Sequence, residues 1–568
     1  MDSVVVTGSR IDSITNTQVV GVDEGGIVKV SGDVLIILRR GRLFTVSTAG
    51  GGLTAIDAVD AYPPGVDADG DWYDEMVVTA DTVAVIGYSY ERGGTEINRF
   101  RLSPDGRLSF RDSWHLRSDD YYSSRNYASR VVGNRLIVYS PLYLDVFADA
   151  SNASLLDALP GLDRWAPGKA EPHFRRFVTS RDVYVPGPLR SHPEADVEMM
   201  HTVQNCDLSA DDLRCTATVV LGPEGRTFFV SSNAVYVWTN FRWGQDDETP
   251  GWLFRIPLEG GRPSAVLVEG APVDQFSFRA DETGGRLDVL VTSDGRGSGM
   301  WDAEFARGEP LLLRLPMRRF GDGSRPAARD DYTPLPSLGP DASVGRNRYV
   351  GDHLLFGLSR WEFGEETNKL VVVPLTGAEA PTMLDFPEGV DRIESLGRDA
   401  LVIGGDGDAA FVTVDLTSRA TPAFADRYVH TNTSEAESRS HAFFYRPDPG
   451  SDGSRGLLGL PVTLGALSHG NDVAIRGATA DMLFLRRADR RLSDFGRLAA
   501  RAPTGEDDGC VASCVDWYGN ARPIFLGERV FALLGYELVE GDRHGDAIRE
   551  TRRLDFTPRR GAEQGGRP

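Results

Sequence analysis

The sequence contains no apolar run that approaches the roughly 20 residues needed to cross a bilayer as a helix. It also lacks the apolar core of a secretory signal peptide, because the acidic Asp2 follows Met1 directly. We therefore expect no transmembrane segment and, if the protein is exported, a mature chain from which the signal has been removed.

Lysine is rare in this sequence. Lysine occurs only at Lys29, Lys169 and Lys369, and the 568 residues carry a formal net charge of -22 at pH 7. An acidic field of this size repels phosphate backbones and anionic lipid headgroups. The charge therefore disfavours nucleic acids and membrane surfaces as partners.

Only four cysteines are present, and they form two close pairs, Cys206 with Cys215 and Cys510 with Cys514. Close pairing predicts two local disulfides and an oxidising compartment. Free thiols are the first alternative. A four-cysteine zinc site is the second, although the spacings C-x8-C and C-x3-C match poorly the C-x2-C knuckles that are usual at zinc.

The sequence is rich in one repeated unit, a tight turn followed by an apolar strand. Gly-Asp, Gly-Asn or Ser-Asn supply the positive φ that such turns need, and runs of Val, Ile, Leu and Tyr form the strands. The unit reads SGDVLIIL at Ser31, TADTVAVIG at Thr79, VGNRLIVYS at Val132, SSNAVYVWT at Ser231, VGDHLLFGL at Val350, LGRDALVIG at Leu396 and LGERVFALL at Leu526. A third and a weaker fourth strand usually follow each unit.

Repeated units of four antiparallel strands predict an all-β fold, a β-propeller of four-stranded blades. We favour eight blades, with seven or nine as alternatives, and a sandwich or a barrel as the rival architecture. We assign residues 1–14 to an N-terminal strand or lead-in, 15–558 to one propeller domain and 559–568 to a disordered tail. Residues 141–175 and 318–346 are predicted to be long inserted loops on one face, and the 502–520 insertion carries the second cysteine pair.

No linear signature of catalysis is present: the chain has no G-x-S-x-G elbow, P-loop, G-x-G-x-x-G turn or H-E-x-x-H helix. The stretch SHGND at Ser468 places Ser, His and Asp side by side, whereas a triad needs side chains that converge from distant positions. We interpret it as a polar turn, and we interpret His441 as a hydrogen-bonded blade residue. Catalytic residues are unknown at this level.

Several stretches resemble, in order, the secreted bacterial family of C-terminal β-propeller domain proteins. They are TNTQVVGVDEGGIVKVSGDVLIIL at Thr15, YYSSRNYASRVVGNRLIVYS at Tyr121, NRYVGDHLLFGLS at Asn347, SHAFFYRP at Ser440, GLLGLPV at Gly456 and RPIFLGERVFALLG at Arg522. The resemblance implies a propeller from about Thr15 to Pro558 and export to the periplasm or the medium. It departs at Gly25-Gly26, where the family has an Ala-Asp pair, and at His441, which lacks the Lys that follows in the family. It implies no catalytic residues.

An acidic stretch, DADGDWYDE, offers the clearest candidate metal ligands. Its carboxylates alternate around a central glycine, which is how a loop surrounds Ca2+ with hard oxygen ligands. Asp67, Asp69, Asp71 and Glu75 are the candidate calcium ligands, and a solvated acidic turn is the alternative. Calcium is the sole candidate cofactor.

Tryptophans near the insertions are candidate pocket residues: Trp165, Trp243, Trp252, Trp301, Trp361 and Trp517. In propellers, however, aromatic side chains more often pack between blades, and that is the interpretation we favour.

The N-terminal stretch DSVVVT resembles a TonB box, the segment by which energy-coupled outer-membrane receptors add one strand to the sheet of a periplasmic partner. The matching residues are Asp2, Ser3, Val4, Val5, Val6 and Thr7. Two alternatives stand beside it. The stretch can close the ring as the outer strand of the last blade, whose sequence looks one strand short, or it can be a plain lead-in.

Two functional hypotheses from different classes follow. The first is an exported, non-catalytic and monomeric propeller that binds an envelope protein or peptide through its loop-bearing face. The second is a hydrolase or lyase with its active site at the central channel. Because propellers support both, the fold alone does not decide between them.

Overall fold

The computed structural model describes residues 14–558 apart from 124–125, 145–158, 170–171, 192–198, 226, 241–250, 297–304, 340–342, 359–367, 406, 465–479 and 502–507. The segments predicted to hold the TonB-box-like stretch Asp2–Thr7, the polar turn SHGND and the C-terminal tail lie outside the described residues. Nine sheets, each built on antiparallel main strands, follow one another along the chain and form the blades of a propeller.

Of the first three blades, the second and third also receive strands from elsewhere in the chain. Strand β1 (Asp23–Glu24) precedes them. Blade 1 contains β2 (Val28–Ser31), β3 (Val34–Arg39), β4 (Arg42–Ser47) and β5 (Thr54–Asp60). Blade 2 contains β6 (Trp72–Val78), β7 (Thr82–Ser89), β8 (Gly94–Leu102) and β9 (Leu108–Leu116), with β12 (Gly161–Arg164) and β13 (Arg175–Arg176) added at its edge. Blade 3 contains β10 (Ser129–Val132), β11 (Arg135–Tyr143), β15 (Met199–Asp207) and β16 (Arg214–Gly222), with β1 at one edge and β14 (Val183–Tyr184) at the other.

The middle blades include the most irregular one. Blade 4 contains β17 (Thr227–Val230), β18 (Ala234–Thr239), β19 (Gly251–Pro257) and β20 (Ser264–Val268), with β25 (Asp322–Pro326) added. Blade 5 contains the split inner strand β21 (Ala271–Pro272) and β22 (Phe278–Asp281), then β23 (Arg286–Arg296), β24 (Phe305–Pro316) and β26 (Tyr332–Pro334). Blade 6 contains β27 (Val344–Val350), β28 (His353–Leu358), β29 (Lys369–Pro374) and β30 (Thr382–Asp385).

The last three blades complete the ring. Blade 7 contains β31 (Arg392–Leu396), β32 (Asp399–Gly404), β33 (Ala409–Asp415) and β34 (Ala423–His430). Blade 8 contains the split inner strand β35 (Thr433–Glu435) and β36 (Phe444–Pro447), then β37 (Gly456–Leu464), β38 (Asp481–Ala488) and β39 (Arg491–Leu498). Blade 9 contains β40 (Ala521–Leu526), β41 (Arg529–Leu534), β42 (Glu537–Asp542) and β43 (Arg549–Asp555).

The predicted all-β propeller is confirmed, with nine blades at the upper end of the predicted range of seven to nine. Within the described ranges, helix is confined to short pieces such as α1 (Gly187–Ser191). The turns that open the blades behave as their sequences predict: Gly32 takes φ 57° between β2 and β3, and Gly351 takes φ 56° between β27 and β28. A side chain in this left-handed region would strain the two-residue hairpin.

The sheets bury their first strands and expose their fourth ones. Strands β2 and β40 are largely buried, whereas β5 and β43 are largely exposed. The first strand of each blade therefore lies at the inner edge, around the central channel, and the fourth lies at the rim. Consecutive antiparallel strands turn at alternate ends, so the second-to-third connections and the blade-to-blade connections share one end, which we call the loop face.

The insertions only partly follow the prediction. Within residues 141–175, β12 and β13 extend blade 2, and within residues 318–346, β25 and β26 join blades 4 and 5 while β27 begins blade 6. The predicted long insertions are present, and short strands within them join the edges of neighbouring blades. Their backbone groups find partners at blade edges, which satisfies hydrogen bonds that an exposed edge would leave to water.

Among the described residues, the ring closes between blades 9 and 1 without an exchanged strand. Strand β43 supplies the fourth strand of blade 9, so the expectation that the closing stretch is one strand short is wrong. Side-chain packing instead joins blades 9 and 1, and we call this contact the seam. Leu35 and Ile37 of β3 share a buried apolar cluster there with Phe531 and Leu533 of β41. The Arg529 guanidinium adds a hydrogen bond of 2.6 Å to the carbonyl oxygen of Thr48.

Residues 14–26, here called the inner segment, belong to no blade of their own. Strand β1 pairs with β10 at the inner edge of blade 3, with Glu24 opposite Arg130, and Gly26 pairs with Met76 of blade 2. Ile14 packs into the apolar cluster of the seam. The segment thus runs across the centre of the ring before the chain enters blade 1.

Candidate functional site

The first candidate site is the centre of the ring, where the inner segment meets charged side chains of several blades. His441 Nε2 and Glu24 Oε2 are 2.9 Å apart, and Arg130 Nε lies 3.9 Å from Glu24 Oε1. Lys29 Nζ donates to the carbonyl oxygen of Glu24 at 2.5 Å and to both carboxylate oxygens of Asp23 at 2.8 Å. The charges at the centre are therefore paired with one another.

Burial and pairing set the protonation of the central pair. Burial acts to raise the pKa of the Glu24 carboxyl, but the Arg130 charge and the His441 hydrogen bond together outweigh it and lower the pKa from 4.5 to about 2. Burial lowers the pKa of His441 from 6.5 to about 4, against the opposing effect of Glu24. At neutral pH Glu24 is an anion, and the uncharged His441 ring donates to it from Nε2, because a carboxylate can only accept.

The remainder of the inner segment binds the inner edges of distant blades. Asn16 Nδ2 donates to Glu394 Oε2 at 3.0 Å and to the Ser440 carbonyl oxygen at 3.2 Å. Gln18 Nε2 donates to the carbonyl oxygens of Gln275 at 2.8 Å and Phe278 at 3.2 Å. Blades 5, 7 and 8 are thereby joined through one short segment, and the polar groups of the centre serve to hold the ring together.

The second candidate site is an aromatic pocket of about 310 Å³ between blades 2 and 3 at the loop face. Eight of its lining side chains are aromatic: Trp72, Tyr88, Tyr90, Tyr121, Tyr122, Tyr139, Trp517 and Tyr518. They come from the ends of β6 and β7, from β11, from the connection between blades 2 and 3, and from the connection between blades 8 and 9. A recessed, mostly apolar cavity with a few polar groups is the usual form of a ligand site.

The aromatic rings of the pocket brace one another through edge-on contacts. The centroids of Tyr88 and Tyr90 are 4.9 Å apart at an interplanar angle of 67°. Trp517 contacts both Trp72 and Tyr122 at centroid distances of 6.0 Å. Such contacts stabilise rings beyond the area they bury, so the walls are held in place before any ligand arrives.

Three carboxyl groups face this pocket. Glu75 is buried and accepts hydrogen bonds from the backbone nitrogens of Ala128 at 2.8 Å and Ser129 at 3.0 Å, and from Ser129 Oγ. Asp120 lies at the rim and accepts from Tyr90 Oη at 2.7 Å. Asp74 lines the wall between them. The pocket therefore combines aromatic surface with acidic groups.

Asp74 has a strongly perturbed environment. Burial raises the pKa of its carboxyl well above the ordinary value of 3.8. A hydrogen bond with Ser513 acts in the opposite direction, whereas the negative charges of Asp516, Glu75 and Asp120 raise the pKa further. The neutral acid is therefore favoured in the empty pocket.

The wall containing Trp517 and Tyr518 belongs to a loop that a disulfide closes. Cys510 and Cys514 are bonded to each other, and the intervening Ser513 accepts a hydrogen bond from the Tyr73 backbone nitrogen at 2.5 Å. The Ser513 nitrogen donates to the Asp71 carbonyl oxygen at 3.0 Å. These bonds anchor the loop to blade 2.

The predicted disulfide pairing is confirmed in full. Besides the bridge in the pocket loop, Cys206 and Cys215 are bonded across directly opposed positions of β15 and β16. No free thiol remains, and the zinc-site alternative is wrong because all four sulfurs are used.

The structure gives the candidate calcium ligands separate surroundings. The Asp71 carboxylate forms an ion pair of 2.5 Å with Arg92. The Glu75 carboxylate accepts hydrogen bonds from the backbone nitrogens of Ala128 and Ser129 at the start of blade 3. Asp67 Oδ1 accepts from the backbone nitrogen of the exposed Asp69 at 3.2 Å. In the part of the chain that the structure describes, no three His, Cys, Asp or Glu side chains form a metal-binding group. The calcium hypothesis stays a prediction.

The predicted tryptophans divide between packing and pocket. Trp517 lines the pocket, whereas Trp252 is buried in blade 4 and donates from Nε1 to the Gly323 carbonyl oxygen at 3.1 Å. Trp165 packs edge-on against Phe110 at 5.8 Å. Trp243, Trp301 and Trp361 lie outside the described residues.

The tyrosines of the pocket were missed by sequence reasoning, although a signal was present. Tyr88 and Tyr90 stand in GYSYER at the end of β7, and Tyr121 and Tyr122 stand in SDDYYSSR between blades 2 and 3. Two tyrosine pairs at loop-face ends of adjacent blades, one of them preceded by acidic residues, are the pattern that indicates the site.

The family comparison agrees with this architecture. The family model described as the Beta propeller domain matches residues 12–310, which is more than half of the chain. The protein belongs to this β-propeller domain family. Among the described residues, no helix is long and apolar enough to cross a bilayer.

The solved structures that resemble this chain have low sequence identity to it. Citrobacter koseri AztD is 9% identical, with 94% of each chain covered and a TM-score of 0.34. A putative 6-phosphogluconolactonase from Bacteroides fragilis is 11% identical, with 63% of this chain and 91% of that chain covered and a TM-score of 0.32. At this level of similarity neither structure indicates a ligand or an activity for this chain. No curated protein matches the sequence.

Proposed function

We propose that the protein is an exported, non-catalytic binding protein that takes a peptide or protein of the cell envelope on its loop face. The aromatic pocket receives one side chain of that partner. The observation that carries this proposal is the pocket itself, a cavity of about 310 Å³ with eight aromatic side chains that already brace one another. Buried aromatic anchors of this kind dominate binding energies at protein interfaces.

Two features support export and a peptide ligand. Both disulfides are of the kind that persists in an oxidising compartment, which fits the periplasm or the medium. The pocket lies where connections between blades converge, so a chain lying across the loop face can place one side chain in it while its backbone contacts the rim. Tyr90, at that rim, is 52% exposed.

The alternative, a hydrolase or lyase at the central channel, has less support from the geometry. The inner segment crosses the channel, and Glu24 pairs there with both Arg130 and His441. An active site needs an open cleft with groups free to meet a substrate. A cavity of about 430 Å³ does lie beside the inner segment, and Glu282 is the acidic side chain that lines it in the described structure.

Site-specific photo-crosslinking in the native envelope tests this proposal. A photoreactive phenylalanine analogue replaces Tyr90 at the rim of the pocket or, as the matched control, the 38% exposed Phe424 on the outer strand β34. We expect one discrete crosslinked partner from position 90, lost when Trp517 is also changed to Leu, and none from position 424. Equal capture at both positions, or capture that survives Trp517→Leu, contradicts the proposed site.

A further inference from the structure

The central channel holds a cavity of about 430 Å³ at the end opposite the loop face. The connections between first and second strands lie at this end, which we call the turn face. Ser232 and Gly351, which line the cavity, stand in those connections of blades 4 and 6. The inner segment from Asn16 to Val20 forms a further wall, and blades 5 and 7 complete it. We call this cavity the turn-face chamber, and its volume is typical of small-molecule sites.

The turn-face chamber opens to solvent. Val20, which lines it, is 96% exposed, so this side of the chamber faces the outside. Glu282 of blade 5 and Ser395 of blade 7 also line it and are also exposed. A solute therefore reaches the chamber from the turn face without displacing the inner segment or a blade.

Arg348 brings a guanidinium group to the wall of the chamber and is held there by two neighbours. The guanidinium lies 4.4 Å from the ring centroid of Phe276, and its Nη2 lies 3.1 Å from Glu394 Oε2. Within the described structure the guanidinium makes one hydrogen bond, from Nη2 to Asn16 Oδ1 at 3.5 Å. Because a guanidinium has five N–H donors, most of the donors of Arg348 remain for a ligand.

Positive charge exceeds negative charge around Arg348. Arg392 Nη1 donates to Glu394 Oε1 at 3.0 Å, so two guanidinium groups share the Glu394 carboxylate. Arg392 is also paired with Glu435. Burial raises the pKa of Glu435 to about 7, although Arg392 opposes this, so that carboxyl is only partly ionised at neutral pH. An anion in the chamber is therefore attracted to this wall.

The wall in blade 5 repeats the shared acid. Arg279 of β22 lines the chamber, and its Nη2 donates to Asp352 Oδ1 at 3.3 Å. The other oxygen of this carboxylate accepts from Arg419 Nη2 at 3.0 Å. Glu282 carries the opposite charge and accepts from Ser231 Oγ at 2.9 Å. The described lining thus has two arginines against one acid, in a protein whose formal net charge is -22.

We infer that the turn-face chamber binds a small organic molecule through a carboxylate group, which Arg348 and Arg279 attract. The planar edge of a guanidinium matches the two oxygens of a carboxylate. Because the chamber is larger than one carboxylate, the ligand has an organic body that packs against Val19 and Val20. A free organic acid and the C-terminus of a peptide both supply this chemistry. The inference goes beyond the proposed function and does not rest on the aromatic pocket, which lies at the loop face.

Paired ligands that differ only in charge test the inference on the whole chain. Hexanoate is compared with hexanamide, and acetyl-Gly-Gly-Leu with a free carboxylate is compared with its C-terminal amide. Calorimetry measures the affinities, and the melting temperature reports stabilisation by the ligand. We expect the acid of at least one pair to bind about ten-fold or more tightly than its amide, and that pair identifies the source of the carboxylate. No preference for the acid in either pair overturns the inference.

A matched pair of variants connects binding to the chamber. Arg279 and Arg419 both bind Asp352, but in the described structure only Arg279 lines the chamber. We expect Arg279→Gln to weaken binding of the acid about ten-fold and Arg419→Gln to leave it within about two-fold of the parent. Arg348→Lys keeps a charge beside Glu394 but loses the planar edge, and it should also weaken binding. Equal losses in the two glutamine variants contradict a site in the chamber.

Trp517→Leu separates this site from the aromatic pocket. The substitution is expected to leave binding of the acid unchanged, whereas it removes the crosslinked partner of the proposed function. Weaker binding of the acid in this variant would mean that the acid occupies the aromatic pocket, which overturns the inference. Binding of the acid in a protein that crosslinks no partner at position 90 supports the chamber while the proposed function fails.

Discussion

Glu24 and His441 are separated by 417 positions in the sequence and are joined by a hydrogen bond of 2.9 Å at the centre of the ring. Glu24 precedes the first blade, and His441 belongs to the eighth. With Arg130 beside it, Glu24 connects the start of the chain to both halves of the propeller. The inner segment is thus a structural brace, and the following prediction concerns its charge.

Acid is expected to destabilise the ring through this pair. The pKa of Glu24 is about 2 in the fold against 4.5 when unfolded, so its contribution is present above pH 4.5 and is lost as pH falls toward 2. The pKa of His441 is about 4 against 6.5, so the unfolded chain takes up that proton first and stability falls between pH 6.5 and 4. Denaturant unfolding from pH 7 to pH 3 should show a loss on the order of 3 kcal/mol.

The matched variant isolates the carboxylate. Glu24→Gln leaves the buried Arg130 charge without its anion and should lower the free energy of unfolding by about 3–5 kcal/mol at pH 7. Below pH 4.5 its stability should depend less on pH than that of the parent. An unaltered midpoint at pH 7 would show that Glu24 does not brace the ring.

Loss of the Cys510–Cys514 bridge is expected to affect binding more than loss of the other bridge. Each closes a short loop and contributes about 2–3 kcal/mol in the chain-entropy model. Only the first carries Ser513 and the wall with Trp517. The double alanine variant Cys510→Ala/Cys514→Ala should lose the crosslinked partner at position 90, whereas Cys206→Ala/Cys215→Ala should keep it at a similar cost in melting temperature. Equal binding of the partner by the two variants would show that the Cys510–Cys514 bridge does not support the pocket.

Deletion of residues 2–8 is expected to leave the melting temperature unchanged, because blade 9 takes all four strands from residues 521–555. A longer deletion, of residues 2–20, removes the hydrogen bonds of Asn16 and Gln18 and should lower it. Partner capture then distinguishes the two remaining hypotheses for Asp2–Thr7. A docking strand predicts lost capture with normal melting, and a lead-in predicts no change. Destabilisation by the short deletion would revive ring closure by this stretch.

Calcium remains open to a direct test. If Asp67, Asp69, Asp71 and Glu75 bind Ca2+, chelation should lower the melting temperature, and Asp69→Ala should abolish that sensitivity. Asp105→Asn serves as the control, because Asp105 is an exposed acid in the turn between β8 and β9. A melting curve unaltered by chelator would leave the stretch as an acidic turn, with Asp71 fixed by Arg92.

The features that the sequence predicts well are the local ones. A hairpin such as SGDVLIIL contains its own turn, register and buried strand, and two cysteines a few residues apart can find each other without knowledge of the fold. The blade count was harder, because blades 5 and 8 split their inner strands around the short turns Gln275–Ser277 and Ser440–Ala442. Neither blade begins with the standard turn and strand.

The pocket could not be assembled from sequence, since its walls depend on which blades meet. Trp72 and Trp517 touch only because blade 9 closes on blade 1 and sends its preceding loop over blade 2. The inner segment shows the same limit. The string TNTQVVGVDEGG was recognisable as a family opening, but its role as a crossing of the channel follows from partners in blades 3, 5, 7 and 8.

In the part of the chain that the structure describes, blades 9 and 1 exchange no strand, and this bears on how the number of blades can change. The four main strands of each blade belong to that blade alone. A whole blade can therefore be duplicated or lost without disrupting a strand that two blades share. The inner segment, residues 14–26, opposes such a change. Adding a blade widens the central channel and removing one narrows it, while the length of the inner segment stays the same. The length of the inner segment therefore fits a channel of one diameter. In the ring of nine blades, Asn16, Gln18 and Glu24 all reach their partners at once.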